Sequence, residues 1–349
     1  MIKLGILGTG GMALAHANAF NSIDGCKIVA ACDIDSKRVN DFAAKHGIPE
    51  VYTDADEMLA QSDLDAVTIV TPDPFHHPLA LKVIAAGKHI LCEKPLALNH
   101  ADALEMRDAA QKAGVINMVN FSYRNSSAIQ KATELVAQGA LGTIRHVHAY
   151  YHQSWLVHDY WGHWPTSPTW LWRLSKSHGS AGVINDIGIH ILDFASMPLG
   201  SLASVHCRLK CFDKAEGNQI GEYKLDANDS AVITTEFTNG ALGTIHTTRW
   251  AYPHKNSLRL DLYGDKASIE IDLNASSTEL KINRILGRTA MEWETLDCGK
   301  TPTNFERFIK SIQTGVQDQP DFARGAEIQS VLDACHLSAE NDKTIQIHS

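Results

Sequence analysis

Asp186, His190 and Asp193 lie four and three residues apart at the end of a run, 179–193, in which two small-residue turns give way to an apolar helical pattern. If the run is helical, that spacing puts the three side chains on one face, with a carboxylate on either side of an imidazole. Such a carboxylate can fix the tautomer of the ring and stabilise its protonated form, which a general base needs. A buried histidine satisfied by its neighbour, or two ligands of a metal site, would show the same pattern. The rest of the chain has to supply what these residues would act on.

At 349 residues the chain is longer than one hydrophobic core usually serves, so two domains are expected. An apolar fraction of 44% and a charged fraction of 20% are those of an ordinary globular protein. The formal charge of −9 disfavours nucleic acid and anionic membrane as partners. No apolar run approaches a membrane span, and the residues after Met1 read directly as a strand instead of a signal peptide, so a cytoplasmic location is expected. The seven cysteines include no Cys-x-x-Cys pair, which argues against a zinc ribbon and against a full disulfide framework. Cys207 and Cys211 fall on one face of a β-rich stretch and read as separate thiols.

The elements that must position a reaction begin at the first residues. An apolar strand over 2–7 runs into Gly8-Thr9-Gly10-Gly11-Met12-Ala13 and then a helical pattern, the order in which glycines let backbone N–H groups approach a pyrophosphate. A second strand, 27–32, ends at Asp33, where a carboxylate can accept hydrogen bonds from both adenosine ribose hydroxyls and repel a 2′-phosphate. NAD is therefore favoured over NADP, although Arg38, just beyond that strand, could instead meet a phosphate. Strands and helices keep alternating to about residue 138. Thr71, Pro72 and His76 follow one strand and Glu93-Lys94-Pro95 follows another, so both stretches fall in the crevice at the carboxyl ends of a parallel sheet. Of His76 and His77, at most one faces that crevice. A lysine at a strand mouth can hold a substrate hydroxyl and steady the developing alkoxide, whereas the same Glu-Lys pair elsewhere would be solvated surface.

Taken together, the glycine loop, Thr71-Pro72 with His76, the run 86–95 ending in Glu93-Lys94-Pro95, and Asp186-Ile187-Gly188-Ile189-His190 resemble the glucose–fructose oxidoreductase/inositol dehydrogenase/rhizopine-catabolism (Gfo/Idh/MocA) family over essentially the whole chain. The resemblance implies a doubly wound Rossmann domain, 1–122, followed by an α+β substrate and oligomerisation domain, 123–349, whose C-terminal helix packs back on the first. It implies a large open sheet in the second domain through which a homodimer or homotetramer forms. It also implies cofactor contacts from Gly8, Thr9, Gly10, Gly11, Met12, Asp33, Ile34, Arg38, Thr71, Pro72, His76, Glu93 and Lys94. Trp172-Arg173 looks like the pair that some relatives bring against the nicotinamide half of the cofactor.

From about residue 143 strand-like runs follow one another at 143–151, 203–212, 230–237, 241–250, 258–263, 266–272 and 278–283, with turns at 238–240 and 263–265, so a mostly antiparallel sheet is expected. Helical patterns close the chain at 304–314 and 325–341. Between the domains, Trp155, Trp161, Trp164, Trp170 and Trp172 are five of the seven tryptophans. Indole faces stack on sugar C–H faces, so Trp155, Trp161 and His158, with Tyr123 upstream, are candidate substrate contacts; an aromatic core plug or subunit contact explains the composition equally well. Pro165, Ser167 and Pro168 predict a loop there. His146, His148 and His152 share a strand face, but no carboxylate or thiolate accompanies them and no metal is expected.

These residues predict hydride transfer between a ring hydroxyl of a sugar, inositol or related polyol and a nicotinamide. In that reading His190 takes the hydroxyl proton, Asp186 orients it, and Lys94 stabilises the oxygen. Three alternatives share the motifs: an NADP-dependent ketone reductase, an NAD-assisted glycoside-cleaving enzyme, and a non-catalytic cofactor or sugar sensor.

Overall fold

The computed structural model describes residues 1–285 and 291–347. The chain forms two compact units, Met1–Asn125 with Pro302–Gln329, and Ser126–Thr301 with Ser330–Ser349.

The first unit is a six-stranded parallel sheet in the order β3-β2-β1-β4-β5-β6, the doubly wound arrangement. Its strands are β1 (Ile2–Leu7), β2 (Cys26–Cys32), β3 (Glu50–Tyr52), β4 (Ala66–Ile69), β5 (His89–Cys92) and β6 (Asn117–Val119). Every residue of β1 except Lys3 is buried, as a central strand covered on both faces demands. The connecting helices are α1 (Ala13–Asn21), α2 (Ser36–His46), α3 (Ala55–Gln61), α4 (His76–Ala85) and α5 (His100–Ala113). Local chemistry fixes their ends: Asp35 caps α2 and Asn99 caps α5 through side-chain oxygens, while Gly47 and Gly114 close the same helices in the left-handed region. The chain returns to this unit with α9 (Asn304–Thr314), which opens on a capping box of Thr303 and Glu306. Phe305, Phe308 and Ile309 of α9 join Ile2, Ala17 and Phe20 in one core, and the Phe20 and Phe305 rings meet edge-on with centroids 5.2 Å apart. Three such side chains, at ~1.5–3 kcal/mol each, account for the retention of this helix in the first core.

The second unit opens with α6 (Ser127–Ala137). The sequence pattern reads this helix as the last of the doubly wound series, but its first turn is tied to the second unit: Ser126 Oγ and Ala128 N donate to Ser277 O, and Ser127 Oγ donates to Gly299 O. A nine-stranded sheet follows, ordered β16-β15-β14-β13-β7-β12-β11-β8-β17. Its long strands are β7 (Ile144–Gln153), β8 (Leu202–Lys210), β11 (Ser230–Phe237), β12 (Leu242–Thr248), β13 (Asn256–Gly264), β14 (Ala267–Asp272) and β15 (Glu279–Arg284). The short ones are β16 (Glu294–Asp297) and β17 (Ile345–Gln346), with a separate hairpin of β9 (Gln219–Ile220) and β10 (Tyr223–Lys224). The sheet is antiparallel except where β12 runs parallel to β7. Alternation along β7 splits its two faces: Val147, Ala149, Tyr151 and Gln153 are buried, while His146 and His148 are exposed on the other side with Tyr150 and His152 partly so. The segment between β7 and the next sheet strand holds a short helix, α7 (Pro168–Leu171), and α8 (Ile189–Ser196); α10 (Phe322–Asn341) is the last helix of the chain. The predicted loop around Pro165 and Pro168 is instead a series of short helical turns, Trp164–Thr166 and α7 among them, each with a proline in its first turn, where a missing N–H costs nothing.

Candidate active site

In the first unit the glycine loop leads directly into α1, and no side chain caps that helix. A Cβ at Gly8, where φ is +91°, would sit 2.8 Å from Val70 O, so the turn requires glycine. A Cβ at Gly10 or Gly11 would meet nothing within 4 Å, which leaves open space before the uncapped N–H groups, as close approach of a pyrophosphate requires. Met12 and Ile34 are exposed around it. Asp33 is buried at the end of β2, accepting from Thr9 N at 2.8 Å, Thr9 Oγ1 at 2.9 Å and Asp35 N at 3.0 Å. Arg38 adds a fork, Nη2 to Oδ1 at 2.6 Å and Nε to Oδ2 at 3.1 Å. Burial opposes the charge on Asp33, but Arg38 and the N–H groups of Asp35 and Thr9 outweigh it and bring its pKa down to about 2. Arg38 therefore spends its charge on Asp33 and does not stand free for a phosphate.

The two strand-end stretches are locked to each other by His76. Its ring is fully buried, with Nδ1 2.7 Å from Pro95 O and Nε2 2.9 Å from Thr71 O. Both ring nitrogens are engaged by backbone, so His76 shapes the crevice by holding its walls, and His77 turns outward to Glu105. Thr71 Oγ1 is buried without a hydrogen-bond partner among the described residues. Glu93 is also structural in its contacts: Oε1 accepts from Asn120 Nδ2 at 2.7 Å and lies 2.8 Å from His16 Nε2, and Oε2 accepts from Lys94 N at 3.2 Å. The other nitrogen of His16 lies 2.8 Å from Thr68 Oγ1. Burial penalises the Glu93 charge, yet His16, Asn120 and Lys94 hold its pKa down at about 2. This network fixes the backbone from which Lys94 emerges, half-buried, at the end of β5.

In the second unit the helix carrying Asp186 and His190 starts from a glycine turn. At Gly182, with φ +86°, a Cβ would fall 2.2 Å from Asn228 Nδ2, and Asn228 occupies that space to accept from Ile184 N through Oδ1. The first helical turn, Ile184–Gly188, is a π-turn and α8 continues from it. The single helix of one pitch expected from the sequence is thus a π-to-α junction, a widening that recurs at functional sites. Asp186 lies on the wide turn and is partly exposed; His190 is buried on the first turn of α8, its ring 6.4 Å from that of Tyr151 on the inner face of β7. Asp186 Oδ2 accepts from Arg249 Nη2 at 2.8 Å. Asp193 is buried on the same helix.

The tryptophan-rich segment is mainly a core. Trp155, Leu156, Trp164, Leu171, Leu174 and Leu225 are buried together, with Trp161 and Trp170 packed on them. Trp155 is 3% exposed and bonded through Nε1 to Gln153, so its indole offers no open face for a sugar and the core reading holds for it. Trp161 stacks on Trp170 at 5.8 Å, while His158 is exposed and lies 5.6 Å from Tyr252. Tyr123, of the first unit, is half-buried in a short turn, Ser122–Asn125. Trp172 is exposed, with the Arg173 guanidinium 4.6 Å over its ring. Among the described residues, no group of three or more His, Cys, Asp or Glu side chains is arranged to hold a metal.

The profile of the GFO/IDH/MocA oxidoreductase family, NAD-binding Rossmann fold, matches residues 2–121, and that of the GFO/IDH/MocA C-terminal domain matches 129–270. The solved structure of an oxidoreductase domain protein from Kribbella flavida is 30% identical, covers 100% of this chain and 99% of its own, and superposes with a TM-score of 0.88. The chain belongs to the Gfo/Idh/MocA oxidoreductase family. Its first unit is the family's NAD-binding Rossmann domain, and the protein is an NAD(P)-dependent oxidoreductase. Two named relatives match it along nearly their full length. A levoglucosan dehydrogenase from Pseudarthrobacter phenanthrenivorans is 25% identical over 99% of this chain and 98% of its own. A D-glucoside 3-dehydrogenase from Escherichia coli is 28% identical over 99% and 97%. Four residues that hold these side chains lie outside the sequence-derived set: His16, Asn120, Asn228 and Arg249. His16 had a legible signal, a histidine on the helix that follows the glycine loop; the other three lie far in sequence from what they hold.

Proposed function

We propose that the protein is an NAD-dependent dehydrogenase of carbohydrates that moves hydride between a ring CH–OH of a sugar, cyclitol or related polyol and the nicotinamide. The observation that carries this reading is the π-to-α junction presenting a partly exposed Asp186 and, four residues on, His190. Both named relatives are dehydrogenases of carbohydrates, which supports the substrate class. NAD, when bound, supplies the hydride acceptor. Asp33 accepts hydrogen bonds from the adenosine ribose, and the N–H groups of the glycine loop receive the pyrophosphate. His190 removes the proton of the reacting hydroxyl, Asp186 keeps its ring oriented, and Lys94 donates a hydrogen bond that lowers the energy of the alkoxide-like oxygen. Trp172 and Arg173 are assigned to the nicotinamide side, and Tyr123, His158 and Trp161 to substrate.

The test is NADH absorbance with purified protein, NAD and a panel of levoglucosan, methyl glucosides, hexoses and inositols. Reduction of NAD by at least one ring polyol is the expected result. Release of aglycone from a glycoside without net NADH would replace this reading with redox-assisted cleavage, and activity only with a keto sugar and NADPH would replace it with a reductase. We further assign the protein to the cytoplasm, where its seven free cysteines stay reduced, and to a homo-oligomer formed through the outer face of the large sheet. Val232, Leu242 and Tyr263 on that face are 40–54% exposed, an apolar surface that a second copy would cover. Light scattering giving a monomer mass at micromolar concentration would refute the oligomer.

A further inference from the structure

Arg249 follows the last residue of β12 and is completely buried, the largest fully buried side chain among the described residues. A buried guanidinium is costly unless its charge is balanced, and of the Arg249 nitrogens Nη1 and Nη2 find partners while Nε is buried without one among the described residues. Here Nη2 donates to Asp186 Oδ2 at 2.8 Å, Nη1 donates to Arg173 O at 3.0 Å, and the guanidinium carbon lies 5.0 Å from the centre of the Trp155 ring. Its backbone is held as well, with Arg249 N donating to Asp229 O and Leu156 N donating to Arg249 O. One side chain thus joins the wide helical turn before His190 to the Trp172-Arg173 segment, over an indole platform that excludes water.

We infer that Arg249 is a positioning residue for the hydride-transfer reaction: it holds the Asp186 carboxylate in a fixed place and offsets the negative charge beside His190. This rests on the reading of Asp186 and His190 as the proton-transfer pair. Three observations support it. The Asp186 side chain is 36% exposed, and the buried guanidinium fixes its Oδ2 at 2.8 Å. The π-turn places Asp186 where the end of β12 can reach it. The other charged groups acting on Arg249 are Arg173, Asp229 and Asp186, and Asp229 is already neutralised by the buried ammonium of Lys214 at 2.7 Å, so the Asp186 carboxylate is the partner left to balance the guanidinium. Asp193 is the further titratable group on the helix of His190, and Tyr151 faces it from β7.

The consequence has a sign. Removing the Arg249 charge takes a positive charge from beside Asp186, which favours protonated His190. The imidazole titration of His190, followed by carbon NMR of ring-labelled full-length protein and assigned by its absence from H190A, should move up by about one pH unit in R249M and by less in R249K, which keeps the charge. With NAD and whichever panel polyol is oxidised, R249M should lower kcat about tenfold or more with the acid limb of the pH profile displaced upward, and R249K should restore part of the loss. The kcat penalty of R249M should be much smaller in a D186N background, where the group it acts through is already gone. A folded R249M or R249K with the wild-type His190 titration and wild-type kcat overturns the inference while leaving the proton-transfer reading intact. Full activity in H190A overturns that reading itself. Should R249M fail to fold, R249K and the titration of His190 in D186N decide: no change in either refutes the role.

Discussion

The proposed choice of NAD rests on Asp33, and replacing it by Asn tests that assignment. Its carboxylate is held near pKa 2 by Arg38 and two backbone N–H groups, so it is ionised at every working pH. D33N keeps the shape and removes the charge. The variant loses the charge-assisted hydrogen bonds to the ribose of NAD, worth about 1.5–3 kcal/mol. It also removes repulsion of a 2′-phosphate, about 3 kcal/mol for unit charges ~5 Å apart at an effective dielectric of ~20. Arg38, no longer paired across 2.6 Å, becomes available to the phosphate. Because Arg38 is half exposed, screening trims these terms, and the ratio of NADPH to NADH affinity should rise about a hundredfold or more. Fluorescence titration of each reduced cofactor against wild type, D33N and the D33N/R38A double variant measures it. The double variant should lose most of the NADPH gain. A ratio that moves less than about threefold in D33N, with thermal stability preserved, refutes the assignment of Asp33 to the ribose.

The buried Glu93 network makes acid stability a readout of the first unit. Its folded pKa of about 2 is below the ordinary 4.5, so it contributes stability above pH 4.5 that is lost as the pH falls towards 2. E93Q should cost on the order of 3 kcal/mol at pH 7 by urea unfolding and markedly less at pH 3; an equal deficit at both would contradict the pairing. On the second unit, burial and then His246, His254 and His148 push His152 down to about 3. The unfolded chain therefore takes up that proton first, near pH 6.5, and stability should fall as the pH drops from there to about 3. H152Q should flatten the wild-type decline between pH 7 and 5, and parallel urea curves for the two proteins would count against it. Gly182 has no room for a Cβ beside Asn228, so G182A should destabilise the site turn by about 1–3 kcal/mol and lower kcat before the protein unfolds, as thermal melts and rates together would register.

Much of the architecture was legible because it is written in local patterns. The strand at 230–237 and the helix at 304–314 are found at the residues where the strand-like run and the helical pattern place them. The Rossmann order followed from strand, glycine turn, helix, strand and acid in succession. What escaped has physical reasons. The helical wheel of 186–193 assumes one pitch, and nothing in the residue types distinguishes a π-turn from an α-turn. Arg249 reaches Asp186 because the turn Ile184–Gly188 packs on β12, a neighbour relation that sequence distance conceals. Composition could nominate the tryptophans as a sugar wall or a core; only burial separated Trp155 and Trp164 from the exposed Trp172. His76 and Glu93 were located at the crevice, but the contacts that lock them, Pro95 O for one and His16 with Asn120 for the other, come from stretches well separated in sequence.

The central claim is that His190 carries the proton of the reacting hydroxyl. The most direct measurement is the pre-steady-state and steady-state rate of NADH formation by wild type and H190A on the same ring polyol, with NADH affinity determined in parallel. The account predicts a loss of two or more orders of magnitude in turnover, with NADH affinity within about twofold of wild type. Turnover within tenfold of wild type, at unchanged cofactor affinity, would contradict it.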